Sequence, residues 1–383
     1  GEVPSIGAAV SLANDGDTIL VSEGEYEESV LVYRKTLKII GQGDVVIKSS
    51  GDYGIRFDDS DSKNFYIENV TFQGCKKALE LWGNVRVQIV RCQFYNSQEY
   101  AVSAPHRQDM LIVNCLFVGN ATAIHGVSSD WEGYGANIHN STFWANDKDV
   151  RYHQNQTNKL NIYNSILTGQ LGRESNAGQI ILHSSYYDPS KVEQNVNVDD
   201  GNYTGSVSLK NPLSGDYSLD AQYAELYLSD SGMFVADNLT GTSQPIGYET
   251  NIKYLVSNHR LNIASAKVGE TYDFTFGFYN LSEGAVGISG ISTESNAVIA
   301  SFALPISVAG RGNTKINFKY KPNTAGKDQL KMDLTLKDQS DGTYSGEINL
   351  TSTNYSFAVA GEIKVPGEVP SIGAAVSLAN DGD

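Results

Sequence analysis

The chain is poor in the residues that staple, kink or anchor a fold. It has three cysteines in 383 residues, too few for a disulfide framework. It has only 9 prolines, so its turns must come from glycine and asparagine. Basic residues are outnumbered: 28 Lys and Arg face 44 Asp and Glu, a net charge of −16. That deficit argues against a nucleic-acid partner, because phosphate binding needs a basic face. No apolar run reaches the length of a membrane span, so no membrane contact is expected within this segment. There is no starting Met and no signal peptide; in a stretch read as mid-chain, neither absence bears on location. Long segments of helical period are scarce too. What remains is rich in Gly, Asn, Ser, Thr and Tyr, which points to an all-β chain of many short strands. The acidity would keep a repetitive rod soluble and attract divalent cations.

One stretch occurs twice. Gly1–Asp17 reads GEVPSIGAAVSLANDGD, and Gly367–Asp383 repeats it without a change, at an offset of 366 residues. Identity of that length points to a tandem array, in which each unit touches its neighbours; the alternative is an added scar. One period is too long for a single ordinary domain. The expected division is 1–250, 251–366, and 367–383 as the start of the next copy.

Ser5 is a candidate N-cap, and Ile6, Ala9, Val10 and Ala13 follow at helical spacing before Asn14-Asp15-Gly16 stops the helix. A run of alternating strands follows. Gly16-Asp17-Thr18-Ile19 and Gly24-Glu25-Tyr26-Glu27-Glu28 resemble the opening of right-handed parallel β-helix proteins, the pectate-lyase and pectinesterase fold. The resemblance implies a capping helix followed by stacked coils.

The coils are also legible directly. Phe72, Phe94, Phe117, Phe143, Leu167 and Tyr187 lie 22, 23, 26, 24 and 20 residues apart. Five residues before each comes Ile67, Ile89, Ile112, Ile138, Ile162 or Leu182, and two before comes Val70, Cys92, Cys115, Ser141, Ser165 or Ser185. These sets differ in parity, so one flat strand cannot bury both. A corner must lie between them, where Asn69, Asn114, Asn140 and Asn164 recur, broken by Arg91 and Ser184. Asn tolerates the left-handed conformation, so these four form an expected inward asparagine ladder with amides bonded between coils. A third strand is expected to turn inward Leu79/Leu81, Ala101/Ser103, Ile124/Gly126 and Val150/Tyr152. Cys92 and Cys115 read as small core residues.

Asn211-Pro212-Leu213, Gly215-Asp216-Tyr217-Ser218-Leu219 and Pro245-Ile246-Gly247-Tyr248-Glu249 resemble the closing coils of secreted β-helix proteins, which implies an end near 249. Beyond 251, strands with turns every 8 to 12 residues suggest an immunoglobulin-like sandwich. Val268-Gly269-Glu270, Tyr279-Asn280 and Lys319-Tyr320-Lys321-Pro322 resemble Hydin-like modules of large repetitive surface proteins of archaea and bacteria.

The pectinesterase and polygalacturonase motifs are missing from the coil region, so no catalytic residue is expected and the chain is read as not an enzyme. Of the six histidines, the five in the coil region, His106, His125, His139, His153 and His183, read as solvated corner residues. Asp58, Asp59 and Asp61, alternating hard oxygens in a loop, are the calcium candidates and the basis of the one cofactor reading, Ca²⁺; an ordinary solvated turn is the alternative. Trp131 and Tyr134, in the longest coil, are candidates for a glycan or lateral contact. Nine N-x-S/T sequons occur. Asn69 and Asn140 fall on the ladder and should be spared, which leaves Asn120, Asn155, Asn202, Asn238, Asn280, Asn349 and Asn354 for glycans in a glycoprotein; composition alone is the other source of such sequons.

Together these readings give a structural repeat unit of an extracellular filament, stalk or surface layer, whose partners are neighbouring copies of itself. The alternative is an adhesin that binds cell-surface glycans; a polysaccharide lyase or hydrolase ranks third.

Overall fold

The structure is a computed structural model. It describes residues 3–105, 108–128, 136–154, 159–173, 179–183, 185–193, 196–198, 202–205, 207–220, 235–236, 247–248, 254–258, 266–280, 282–293, 298–300, 303–323, 326–330, 332–338, 347–351 and 355–360. The chain divides into two compact units, 1–229 with 245–250, and 230–244 with 251–383. Within 230–244, strand Val235–Ala236 joins the antiparallel sheet of the second unit.

The first unit is a mostly parallel right-handed β-helix of about six turns. Three ladders run along it. One stacks Leu37–Ile40 on Phe65–Glu68 and on Val85–Val90, then Met110–Val113, Ala136–His139, Leu160–Tyr163, Ile180–Leu182 and Val196–Val198. The second carries the phenylalanine column. Phe72, Phe94, Phe117 and Phe143 sit in register, with ring centroids 5.2, 4.8 and 4.6 Å apart and planes within 7° of parallel. The expected column continues to Leu167 and Tyr187. In the third ladder Val102 pairs with Leu79 on one side and Ile124 on the other, so Val102 and Ala104 turn inward. Ala101 and Ser103 were expected there; the coil carries one residue more between the phenylalanine and this strand than its neighbour does.

The corners follow from backbone sterics. Asn69, Asn114, Asn140 and Asn164 have φ of 54°, 52°, 45° and 46°, the left-handed region that Asn enters most cheaply. Arg91 takes the same turn at 50°. A second left-handed corner, not expected from sequence, follows each phenylalanine at Gly74, Asn96, Gly119 and Ala145.

Asn114, Asn140 and Asn164 are buried, as an inward ladder expects, but the amide ladder needs correction at Asn69 and Asn140. Asn69 is exposed, and its amide donates to the Gly41 and Gly43 carbonyls of the preceding coil. Asn140 is fully buried, yet neither its Oδ1 nor its Nδ2 finds a hydrogen-bond partner. The backbone already closes this corner, with Asn114 N–H on His139 O and Asn140 N–H on Tyr163 O. What recurs here is therefore the left-handed turn. Amide files form elsewhere. Ser97 N–H donates to Asn120 Oδ1, Asn120 Nδ2 to Asn146 Oδ1, and Asn146 Nδ2 to Asp149 Oδ1, each at 2.9 Å. A hydroxyl file runs beside the first corner: Cys115, Ser141 and Ser165 each donate N–H to the serine of the next coil at 3.0–3.2 Å, and Ser185 donates to Asn202 Oδ1.

The second unit is antiparallel in most of its pairings. A five-stranded sheet, with Tyr254–Asn258, Tyr272–Asn280 and Gly312–Tyr320 at its centre, accompanies four-stranded and three-stranded sheets. Phe278, Val286, Ile288, Ile316, Phe318, Tyr320 and Leu336 are buried in it.

Candidate functional site

Two places concentrate specific contacts: the docking of the duplicated segment, and one outer strip of the third ladder. The helix Ile6–Leu12 is short, so its formation depends on tertiary contacts. Ser5 caps it by accepting from Ala8 N–H. The Glu28 carboxylate accepts from Ile6 N–H at 2.8 Å and Gly7 N–H at 2.9 Å, negative charge on the positive end of the helix. At the other end Lys35 Nζ donates to the carbonyls of Val10, Ser11 and Ala13 at 2.7–3.3 Å. Ile6 and Val10 join the coil core. Asp15 accepts from Thr36 N–H and pairs with Lys63 at 2.9 Å. The Thr36 hydrogen bond, then Lys63, holds its carboxyl below the usual range.

The outer strip follows from register. Leu31, Arg56, Glu80, Ser103, His125 and Arg151 align on successive coils and face outward, because their neighbours Val30, Ile55, Leu79, Val102, Ile124 and Val150 face the core. Two residues on, Tyr33, Asp58 and Trp82 form a second row. Arg56 is the hub. Its guanidinium lies 4.8 Å from the centre of the Trp82 ring, donates to Asp58 at 2.8 Å and stands 3.6 Å from Glu80. Glu80, nearly buried, also pairs with Lys77. His125 stacks on Tyr100 at 4.2 Å. Two rings stay open to solvent, Tyr33 at 54% and Trp82 at 39%. The strip offers aromatic faces separated by an acid–base pair. That arrangement suits stacking and hydrogen bonding.

Asp58 and Asp59, two of the calcium candidates, are not brought together. Asp58 and Asp59 are consecutive in one strand and so point to opposite sides. Asp58 pairs with Arg56, while Asp59 is buried and accepts from Lys63 N–H. The Asp61 side chain lies outside the described residues. No group of three metal-binding side chains occurs among the described residues.

Two glycan candidates are overturned by burial. Asn120 is 1% exposed with its amide in the file above, and Asn280 is 0% exposed with its amide on the Gly284, Val308 and Ala309 carbonyls. Asn202 is half-buried and its amide donates to Leu182 O. Asn155, Asn238 and Asn354, the Asn349 side chain, Trp131 and Tyr134, and the second copy at 367–383 lie outside the described residues. His139 is not solvated: it is fully buried and its ring stacks on Tyr163 at 4.8 Å. His125 is half-buried, and the side chains of His106, His153 and His183 lie outside the described residues. No described helix is long and apolar enough to cross a membrane.

The comparisons agree with the coils. The family model of the right handed beta helix region matches residues 41–196. No curated protein matches the chain. Among solved structures, a pectin methylesterase from carrot covers 59% of this chain and 92% of its own at 12% identity and a TM-score of 0.35. WR4, a C. elegans MSP family member, covers 26% of this chain and 94% of its own at 11% identity and a TM-score of 0.19. The ASH / PapD-like domain of human CEP192 covers 28% and 83% at 12% identity and a TM-score of 0.20. These scores carry no argument; the fold rests on the family match and the strand register. β-Helices also include enzymes, so the fold alone does not exclude catalysis.

Proposed function

We propose that the chain is a structural repeat unit of an extracellular filament, stalk or surface layer, joined head to tail to further copies of itself. The observation that carries this reading is the unchanged seventeen-residue duplication, taken with the contacts made by its first copy. In this reading the helix Ile6–Leu12 caps the first coil, and 367–383 caps the coils of the next copy. Glu28 and Lys35, which hold the two ends of the helix, and Thr36 and Lys63, which hold Asp15 just after it, all lie outside the repeated stretch. A second copy of the stretch therefore serves a second solenoid of the same kind. The antiparallel second unit acts as an immunoglobulin-like, Hydin-like spacer. Electron microscopy of the native assembly tests the proposal: continuous rods with one regular axial period support it, and isolated particles reject it.

A second reading, a glycan-binding adhesin, is favoured by the Tyr33–Asp58–Trp82 row. Its two exposed rings stand two coils apart, ~10 Å, with the Asp58–Arg56 pair between them. Glycan-array binding that Trp82→Ala abolishes would select it. Calcium is not proposed at Asp58 and Asp59, whose carboxylates are engaged by Arg56 and by the Lys63 amide.

A further inference from the structure

The segment expected to close the solenoid does something else. The last parallel strand described in the solenoid is Val196–Val198. Leu209–Asn211 and Asp216–Leu219 then pair antiparallel and pack on the flank of the second ladder, where Leu209 and Leu219 meet the outward side chains Ile166 and Tyr186. The chain returns to the same flank at Gly247 and Tyr248. Gly247 N–H donates to Asn164 O at 2.7 Å, Tyr248 N–H to Thr142 Oγ1 at 2.9 Å, and Gln93 Nε2 to the Tyr248 hydroxyl at 3.2 Å. Asn164 and Thr142 belong to adjacent coils and Gln93 lies two coils further back, so the short segment crosses several turns of the helix from outside.

The fit is close. Gly247 has φ of 95°, and an added Cβ would come within 2.8 Å of Ile166 and of Thr142. Only glycine has both the conformation and the clearance. The neighbouring flank is desolvated as well: burial, then Tyr217 and Tyr248, pushes the Tyr95 hydroxyl up to about 12.

We propose that Gly247 and Tyr248 form a mechanical clasp, the point at which tension from the C-terminal side enters the solenoid. Because the clasp is anchored on inner coils, pull reaching it is spread over the Asn164, Thr142 and Gln93 turns. The strand ending at Leu219 and the last coils behind it are bypassed until the clasp lets go. This rests on the reading of the chain as one unit of a linear array, although the contacts themselves do not.

The test is optical-tweezers stretching of the full chain, with handles at its two ends. After the second unit has opened, the clasp should release as its own event, before any coil unravels. It should free the chain between Leu219 and Gly247, roughly 100 Å at the extended length per residue. Gly247→Ala should abolish that event, and the milder Tyr248→Phe, which removes one hydrogen bond, should lower its force. Hydrogen exchange on the same variants should show lost protection at 247–248 with Ile138 and Ile162 amides still protected, which separates clasp release from misfolding. Passage straight from the second unit to coil unravelling in the wild type, or an event unchanged in Gly247→Ala, would overturn the proposal. Failure to see rods by microscopy would reject the array without touching this result.

Discussion

Asn146 Nδ2 donates to Asp149 Oδ1 at 2.9 Å, at the end of a file of amides that crosses several coils. Asp149 Oδ2 also accepts from Gly169 N–H at 2.6 Å. The carboxyl is fully buried, and that burial raises it from 3.8 to about 7 despite both hydrogen bonds and Lys191. The native state therefore holds a proton there that the unfolded chain has already lost. Stability from this group is complete below about pH 4 and declines as the pH rises toward 7.

The first prediction follows from that sign. Between pH 4 and 8 the wild type should lose on the order of 4 kcal/mol from this single group. Asp149→Asn should flatten the slope. Urea melts of both proteins across the range give the difference directly; parallel curves would show that Asp149 does not titrate in the native fold.

The helix clamp gives the second. Lys35→Met removes the donor shared by three helix-end carbonyls and should cost about 1–2 kcal/mol. Glu28→Gln should cost less, since a neutral oxygen still accepts. Hydrogen exchange over residues 5–13 should rise in both, ahead of any change in the Phe94–Phe117 coils.

Corner geometry gives a third. Asn140 makes no side-chain hydrogen bond, and its φ is 45°. Asn140→Gly should then be tolerated, whereas Asn140→Val should cost about 1–2 kcal/mol or more from the left-handed backbone alone. Equal thermal midpoints for the two variants would return the asparagine amide to the centre of the account.

Glycan mapping supplies the fourth. Intact-glycopeptide mass spectrometry of the native protein should find Asn120, Asn140 and Asn280 unmodified, because each is buried. A sugar on Asn120 would require the Asn146 file to break.

Much of the solenoid was readable before any coordinates. A parallel stack forces equivalent side chains into columns, so the phenylalanine spacing and the shift in parity reported both the coils and one corner. The antiparallel texture after 251 was legible by the same logic, since strand and turn alternation is local. The readings of Asn120, Asn280 and His139 failed for the opposite reason. Whether Asn120, Asn280 or His139 meets solvent depends on distant chain, and no nearby pattern records it.

The sequence by itself determined the repeat, the register of the first two ladders and the first of the two left-handed corners, because these are properties of neighbours along the chain and of periodic stacking. Only the tertiary structure decided which polar groups are joined. It put Glu28 and Lys35 at the two ends of one helix, parted Asp58 from Asp59, ended an amide file on Asp149, and brought Tyr248 to Gln93 across 155 positions. Such pairings follow from which surfaces remain uncovered once the coils have stacked, and that is settled by the packed whole.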